Sequence, residues 1–94
     1  MDGYYVYITT NVNRTVLYTG VTDNLIRRLD EHRQMRPGTF TARYGACRLI
    51  YFEKHDNIRV AISREKEIKG WRRSKKDRLI EQLNPYWRFL DEEL

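Results

Sequence analysis

The sequence predicts a small α+β domain, in which a three-stranded, mostly antiparallel sheet is flanked by helices in the order β-β-α-β-α-α. Two short runs rich in aromatic and β-branched residues stand close together near the N-terminus, as in a β-hairpin. A third such run comes later, between segments with the apolar spacing of helices. The chain has 94 residues, enough for one hydrophobic core, so we expect a single domain over residues 1–94.

The hairpin is the first element. Residues 4–9 (YYVYIT) and 16–21 (VLYTGV) have the composition of strands, and the asparagines between them favour a turn. Gly20 lies inside the second strand, where a glycine often marks a close approach of another group to the backbone.

Strand alternation places three tyrosines on one face of this hairpin. Tyr5 and Tyr7 share a face of the first strand, and Tyr18 shares a face of the second strand with Gly20. The tyrosines could form an aromatic patch of the core, or they could aim their hydroxyl groups into a cleft. The alternation leaves both interpretations open.

The remaining elements follow from apolar spacing and capping signals. The sequence predicts a helix over 24–35 with Thr22 or Asp23 as its N-cap, an irregular loop over 36–46, a strand over 47–53, a helix over 57–72, and a helix over 75–83 with Ser74 as its N-cap. Asn84 and Pro85 are expected to end the last helix, because the residue before a proline disfavours helical dihedrals.

Composition and charge narrow the class of function. The chain carries 18 Lys and Arg against 13 Asp and Glu, a net charge of +5, and 13 of the 18 cations are arginine. Arginine binds phosphate bidentately, so the excess suits a nucleic-acid partner, but composition alone leaves a solvated, arginine-rich surface equally open. The single cysteine, Cys47, excludes an internal disulfide framework, and no run is long and apolar enough for a membrane span. Without the pattern of a secretory signal at its start, the chain is expected in the cytoplasm.

Two helices carry polar side chains where a plain core would be apolar. In the first, Arg28 and His32 lie one turn apart, on a flank beside the apolar face of Leu25 and Leu29. A partly buried histidine beside a surface arginine would be an ordinary arrangement, so this pair alone does not establish a site.

In the second helix, Glu65 lies on the inward stripe predicted from Ile58, Ala61, Ile62 and Ile68. A carboxylate there is costly unless it is paired or binds a metal. The spacing permits either an ion pair with an arginine or a metal site.

Five sequence features together resemble the GIY-YIG nuclease superfamily. Tyr5-Val6-Tyr7 and, eleven residues after Tyr7, Tyr18-Thr19-Gly20 are similar to its paired motif, although Tyr5 stands where the family has glycine and Val6 where it has isoleucine. The other features resemble the helical arginine and histidine of the family, its metal-binding glutamate and its C-terminal asparagine; they are Arg28, His32, Glu65 and Asn84. The closest likeness is to small stand-alone bacterial members.

This resemblance implies a divalent-metal-dependent endonuclease. Glu65 would bind one Mg²⁺ or Mn²⁺, Arg28 would stabilise charge on the scissile phosphate, and Tyr18, with Tyr7 nearby, would help to activate the attacking water. His32 would orient a tyrosine hydroxyl or relay its proton, with Gly20 and Asn84 as supporting residues. The alternative from a different class is a nucleic-acid binding module that keeps the fold with little or no catalysis.

A basic cluster in the C-terminal third is the predicted contact for the nucleic-acid backbone. Between residues 64 and 78 the chain has eight Lys and Arg against three Asp and Glu, and the candidates for phosphate contact are Arg72, Arg73, Lys75 and Lys76. We expect DNA rather than RNA as the partner, as in DNA repair, and a monomer without membrane contact.

Overall fold

The computed structural model describes residues 3–94 and confirms the α+β class. Its elements in chain order are β1 (Tyr4–Thr10), β2 (Leu17–Thr22), α1 (Leu25–Arg33), α2 (Phe40–Tyr44), β3 (Arg48–His55), α3 (Ile58–Lys69), α4 (Arg73–Leu83) and a 3₁₀ helix (Leu90–Glu93). Within these residues no helix is long and apolar enough to cross a membrane.

The three strands form one antiparallel sheet in the order β2-β1-β3. The central strand β1 pairs Tyr7 with Gly20 of β2 on one side and with Phe52 of β3 on the other. The pairing with β3 has an irregularity, because Ile8 faces Tyr51 whereas Thr9 faces Leu49. This bulge at Ile50 bends the strand and increases its local twist.

Alternation along β1 divides the protein into two layers of helices around the sheet. The tyrosine face, which carries Tyr5 and Tyr7, packs against Leu25 and Leu29 of α1. The opposite face, here called the aliphatic face, packs against α3 and α4; its buried residues are Val6, Ile8, Ile50, Tyr51, Ala61, Ile68 and Ile80. The sheet therefore supports two separate cores.

Two predicted N-caps are wrong by one or two residues. The N-cap of α1 is Asn24, not Thr22 or Asp23, because its extended backbone lets the side-chain oxygen accept from the amide of Arg27 at 3.0 Å. Helix α4 begins at Arg73, so Ser74 lies inside its first turn rather than capping it.

The predicted irregular loop over 36–46 contains the short helix α2, which the sequence analysis missed. Thr39 caps this helix by accepting a hydrogen bond from the amide of Ala42 at 3.1 Å. Gly45 ends it in the left-handed conformation, with a φ of 65° that glycine adopts without strain. Five residues give too short a pattern for helical spacing to be detected.

The inward stripe of α3 is narrower than predicted. Ala61 and Ile68 are buried, but Ile58 and Ile62 are exposed, because only one line of residues along the helix meets the sheet. Glu65 lies on that line, one turn from each buried residue, and its side chain is only 12% exposed. Its predicted inward position is confirmed.

Candidate active site

A cleft of about 190 Å³ opens beside the tyrosine face, where β2, α1 and the start of α2 meet. It is lined by Tyr18, Arg28, Glu31, His32, Arg36, Thr39, Phe40 and Thr41. Three residues predicted from the sequence, Tyr18, Arg28 and His32, are thus brought together in one cavity. The tyrosine face consequently combines an aromatic core with a solvent-open cleft, the two alternatives that the sequence left open.

Gly20 makes room for the side chain of Tyr7, its partner across the two strands. A Cβ at Gly20 would lie 2.4 Å from the hydroxyl oxygen of Tyr7 and 2.5 Å from its Cζ, distances that real atoms do not allow. The predicted close approach of another group to Gly20 is confirmed, and that group is the side chain of Tyr7. Any larger residue at position 20 would displace the phenol of Tyr7.

Tyr7 joins Arg28 and His32 in a hydrogen-bonded chain beneath the cleft. The Nε of Arg28 donates to the Tyr7 hydroxyl oxygen at 3.3 Å, and that hydroxyl lies 2.8 Å from the Nε2 of His32. On the far side of the ring, Nδ1 of His32 lies 3.3 Å from the hydroxyl of Thr41. The arrangement that gives each of these groups a partner directs the hydrogen of Tyr7 to Nε2 of His32 and the ring hydrogen on Nδ1 towards Thr41, since Arg28 can only donate.

Burial changes the acid–base character of this chain. It raises the pKa of the Tyr7 hydroxyl well above its usual value, and the hydrogen bond from Arg28 offsets only part of that effect. Burial, together with the positive charge of Arg28, lowers the pKa of His32 to about 4. At neutral pH, Tyr7 is therefore protonated and His32 is neutral.

Arg28 is one of two cationic residues that line the cleft, together with the exposed Arg36. Its side chain is 39% exposed and forms a 3.6 Å ion pair with Glu31, which lines the same cavity. Burial opposes its charge, but the hydroxyl groups of Tyr7 and Tyr18 favour it, and the pKa of Arg28 lies above its usual value. A permanent positive charge at the mouth of a cleft suits an anionic ligand.

Glu65 acts electrostatically on Tyr7 although its helix, α3, packs on the opposite face of the sheet. Helix α3 packs on the aliphatic face, yet the negative charge of Glu65 adds to the effect of burial in raising the pKa of Tyr7. Glu65 also forms a 3.0 Å ion pair with Lys69, whose ammonium nitrogen lies 5.9 Å from the ring centre of Tyr18. Glu65 is not among the residues that line the cleft; its link to the tyrosines runs through the contact of α3 with β2 and through Lys69 near the ring of Tyr18.

The side chains around Glu65 fit a Mg²⁺ or Mn²⁺ ion only if the protein supplies few of its ligands and water or substrate supplies the rest. Residues 3–94 contain no group of three His, Cys, Asp or Glu side chains that could enclose a metal. Mg²⁺ commonly keeps several waters and takes one or two carboxylates together with substrate phosphates, and the nearly buried carboxylate of Glu65 meets that requirement. The ion pair with Lys69 is the one that a cation would have to displace.

Asn84 supports the fold rather than the cleft. Its buried amide donates to the carbonyl oxygens of Ile50 at 3.0 Å and Arg88 at 2.8 Å, and its side-chain oxygen accepts from the amide of Arg88. These bonds tie the segment after α4 to strand β3. These hydrogen bonds explain the buried Asn84 at the end of α4 as a structural residue, with no need for a role in catalysis.

The predicted backbone contact at Arg72, Arg73, Lys75 and Lys76 belongs to α4 and the residue before it, and α4 packs on the aliphatic face. Arg73 is engaged within the protein, because it pairs with Asp77 at 2.8 Å and donates to the carbonyl of Thr15. The ammonium nitrogen of Lys75 lies 4.2 Å from the ring centre of Trp71. The role of this cluster stays a prediction, now for a surface separate from the cleft.

The sequence analysis missed six residues of this region: Glu31, Arg36, Thr39, Phe40, Thr41 and Lys69. The spacing of Lys69, four residues after Glu65, signals their ion pair. Thr41 and Phe40 carry no comparable signal, since they reach the cleft through the turn between α1 and α2.

Comparison with known proteins gives a consistent assignment. The family model described as the GIY-YIG catalytic domain matches residues 3–78. A UPF0213 protein of Haloquadratum walsbyi is 38% identical over 81 residues, which cover 86% of this chain and 90% of that protein. A UPF0213 protein of Clostridium perfringens is 41% identical over 76 residues, or 81% of each chain.

A solved structure agrees with these sequence relatives. The solution NMR structure of a UPF0213 protein from Bacillus halodurans superimposes with a TM-score of 0.58 at 27% identity, over 89% of this chain and 88% of that one. The family match runs from the start of the hairpin into α4, and so includes every element that builds the cleft. The chain therefore belongs to the GIY-YIG family.

Proposed function

We propose that this protein is a metal-dependent endonuclease that hydrolyses phosphodiester bonds of nucleic acids, with DNA favoured over RNA. One observation carries the proposal: the hydrogen-bonded chain of Arg28, Tyr7 and His32 lies directly beneath an open cleft that also holds Tyr18. Buried polar groups are costly unless they are satisfied, and here they satisfy one another while they point an arginine at solvent. The family nuclease fold supports the same conclusion.

Arg28 is the residue placed to stabilise the reacting phosphate. Its Nε is fixed by the Tyr7 hydroxyl, which leaves the terminal nitrogens of the guanidinium free to turn from Glu31 to a phosphoryl oxygen. Charge that develops on these oxygens in the transition state is stabilised most by donors held in position beforehand. Tyr7 thus acts as a positioning residue.

Tyr18 is the tyrosine placed to contact the attacking water. It lines the cleft, whereas the hydroxyl of Tyr7 is fully buried and strongly held in its protonated form. A nearby cation helps a phenol to give up its proton and act as a base, and Arg28 lies beside Tyr18. In the proposed step, Tyr18 first releases its hydroxyl proton to solvent. Water then forms the new bond to phosphorus and gives its proton to the Tyr18 oxygen, while the ester bond breaks and the leaving oxygen takes a proton from solvent.

Glu65 is the residue that would hold a Mg²⁺ or Mn²⁺ ion in this proposal. A bound cation would supply Lewis-acid polarisation of the scissile phosphate and stabilisation of the leaving oxygen. The half-exposed side chain of Lys69 can turn to solvent when a cation takes its place, so the nearly buried carboxylate of Glu65 keeps a positive partner throughout.

The second candidate, a binding module without catalysis, is favoured by the same ion pair. Lys69 already neutralises Glu65, and residues 3–94 hold no richer metal-binding group. A protein of this kind would bind nucleic acid equally well with and without divalent metal.

The test is a cleavage screen over single-stranded, duplex and branched oligonucleotides, with Mg²⁺, Mn²⁺ or EDTA. The proposal expects metal-dependent cleavage by the wild type and its loss in Tyr18→Phe, which keeps the ring but lacks the hydroxyl. Tyr86→Phe is the matched control, since Tyr86 is 86% exposed and lies outside the cleft. Binding without cleavage under every metal condition would favour the binding module instead.

A further inference from the structure

A series of aromatic rings leads outward from the candidate active site. The ring centre of Phe40 lies 5.7 Å from that of Tyr18, and the ring centre of Tyr44 lies 4.7 Å from that of Phe40. The planes of adjacent rings are tilted by 34° and 48°. The series therefore begins at the residue proposed to contact the attacking water and continues along α2.

The two outer rings are unusually open for aromatic side chains. Phe40 is 42% exposed and Tyr44 is 41% exposed. A second cavity of about 560 Å³ lies along α2, and Thr39 and Phe40 line both this cavity and the cleft of Tyr18 and Arg28. Its size is within the range of small-molecule sites, so it can receive a planar group the size of a nucleobase.

Positive charge surrounds these rings. The guanidinium carbon of Arg43 lies 5.3 Å from the ring centre of Tyr44, and Arg36 lines the cleft. Neither arginine forms an ion pair among residues 3–94, in contrast to Arg28, which pairs with Glu31. Aromatic rings interleaved with unneutralised arginines are the combination that binds a strand through its bases and phosphates together.

We infer that Phe40 and Tyr44 form a stacking surface for unpaired nucleobases, which places a single-stranded segment of nucleic acid across the cleft. This inference rests on the proposed function and adds the class of substrate. The bases of a duplex stack on one another and offer no free ring face, whereas an unpaired base can stack on an aromatic side chain. The occupant is thus a nucleic acid with an unpaired segment at the cleavage point.

The experiment measures binding in EDTA, where metal-dependent cleavage cannot occur. The probes are a short single-stranded DNA that contains 2-aminopurine, its duplex, an RNA of the same sequence, and an abasic strand of equal length. The variants are Phe40→Leu and Tyr44→Leu, which keep apolar volume but lose the ring. Tyr86→Leu is the matched control for loss of an exposed aromatic, and Phe40→Trp tests rescue by another ring.

We expect each loss of a ring to weaken single-strand binding by about 5- to 100-fold, the range observed for removal of one base–aromatic stack. The 2-aminopurine signal should change on binding to the wild type and to Phe40→Trp, and less on binding to Phe40→Leu. Affinity for the abasic strand should stay the same in all variants. Thermal melts establish that each variant is folded.

Unchanged affinity of both leucine variants for DNA and RNA strands would overturn the inference and assign the exposed rings to another occupant, such as a protein. An equal loss on the abasic strand would also overturn it, because the rings would then only shape the phosphate contact. The proposed function is tested separately: it fails if no metal supports cleavage, whatever the binding data show. It stands if cleavage is metal-dependent while the leucine variants bind normally.

Discussion

The two faces of the same three-stranded sheet are built on different principles. On the aliphatic face, Val6 and Ile8 pack in one cluster with Ile68 and Ile80, and the hydroxyl of Tyr51 in that cluster donates to Glu53 at 2.6 Å. On the tyrosine face, one residue along the same strand, Tyr7 places a hydroxyl among arginine and histidine nitrogens. The comparison shows how a chain of this size separates stability from chemistry by the twofold alternation of a single strand.

The difference also assigns a cost to each face. Apolar burial on the aliphatic face stabilises the fold directly, at roughly 25 cal/mol for each Å² removed from water. On the tyrosine face the hydroxyl of Tyr7 and the ring nitrogens of His32 have partners, whereas the buried hydroxyl of Thr9 has none among the described residues. A buried group left without its partner costs about 1–3 kcal/mol. Substitutions on the aliphatic face should therefore change mainly the stability of the fold, and substitutions on the tyrosine face mainly the rate of cleavage.

The largest effect on stability should come from the aliphatic face. Ile68→Ala removes three carbons from a fully buried position between α3 and the sheet, which typically costs about 2–5 kcal/mol in the free energy of unfolding. Urea unfolding followed by circular dichroism measures this loss. Among molecules that remain folded, the cleavage rate should match that of the wild type; a specific loss of turnover would break the distinction between the faces.

The largest effect on turnover should come from the cleft. Arg28→Ala removes the positioned guanidinium, and loss of one electrostatic stabiliser typically lowers the rate about 10²- to 10³-fold. Steady-state kinetics should show a lower kcat with little change in KM, because the interaction strengthens in the transition state. Arg27→Ala is the matched control, since Arg27 is the adjacent residue and forms its ion pair with Asp23 at the surface. A similar loss in both variants would mean that only general charge matters.

A pH-dependent effect on the free energy of unfolding, similar to or smaller than that of Ile68→Ala, should come from His32, which is buried and held neutral. Its pKa of about 4 in the folded protein lies below the usual histidine value of 6.5, so between these pH values the unfolded chain binds more protons than the folded one. The contribution is complete above pH 6.5 and is lost as the pH falls through 4, an upper bound of about 3 kcal/mol at about 1.4 kcal/mol for each pKa unit.

Urea unfolding from pH 7 to pH 4, for the wild type and His32→Gln, measures that contribution. The wild type should lose more stability than the variant across this range, because the variant has no imidazole to protonate. Parallel curves for the two proteins would show that His32 is not held in its neutral form by the fold.

The sequence predicted the parts of the molecule that depend on local patterns. The hairpin, the inward position of Glu65 and the close approach at Gly20 follow from alternation, helical spacing and the lack of a Cβ, and all three are confirmed. The predicted stripe of α3 was too broad at Ile58 and Ile62, because apolar spacing does not reveal how wide the contact with the sheet is.

The parts that depend on long-range contacts could not be predicted in this way. The hydrogen bond between His32 and Thr41 needs the chain to turn back through residues 34–39, where no periodic pattern exists. Alternation placed Tyr7 and Tyr18 on one face but did not determine that Tyr7 is buried and Tyr18 lines the cleft. That difference arises because β1 is the central strand and β2 is at the edge.

The most direct test of the central claim is the rate of Mg²⁺-dependent cleavage by Glu65→Gln, measured at enzyme excess beside Glu67→Gln. The two positions lie on α3 two residues apart, but Glu65 is nearly buried beside the tyrosines, whereas Glu67 is exposed and pairs with Arg64. The account predicts that Glu65→Gln folds normally and loses cleavage at every Mg²⁺ concentration, while Glu67→Gln cleaves like the wild type. Wild-type cleavage by folded Glu65→Gln would contradict it, and would leave Glu65 as a structural partner of Lys69.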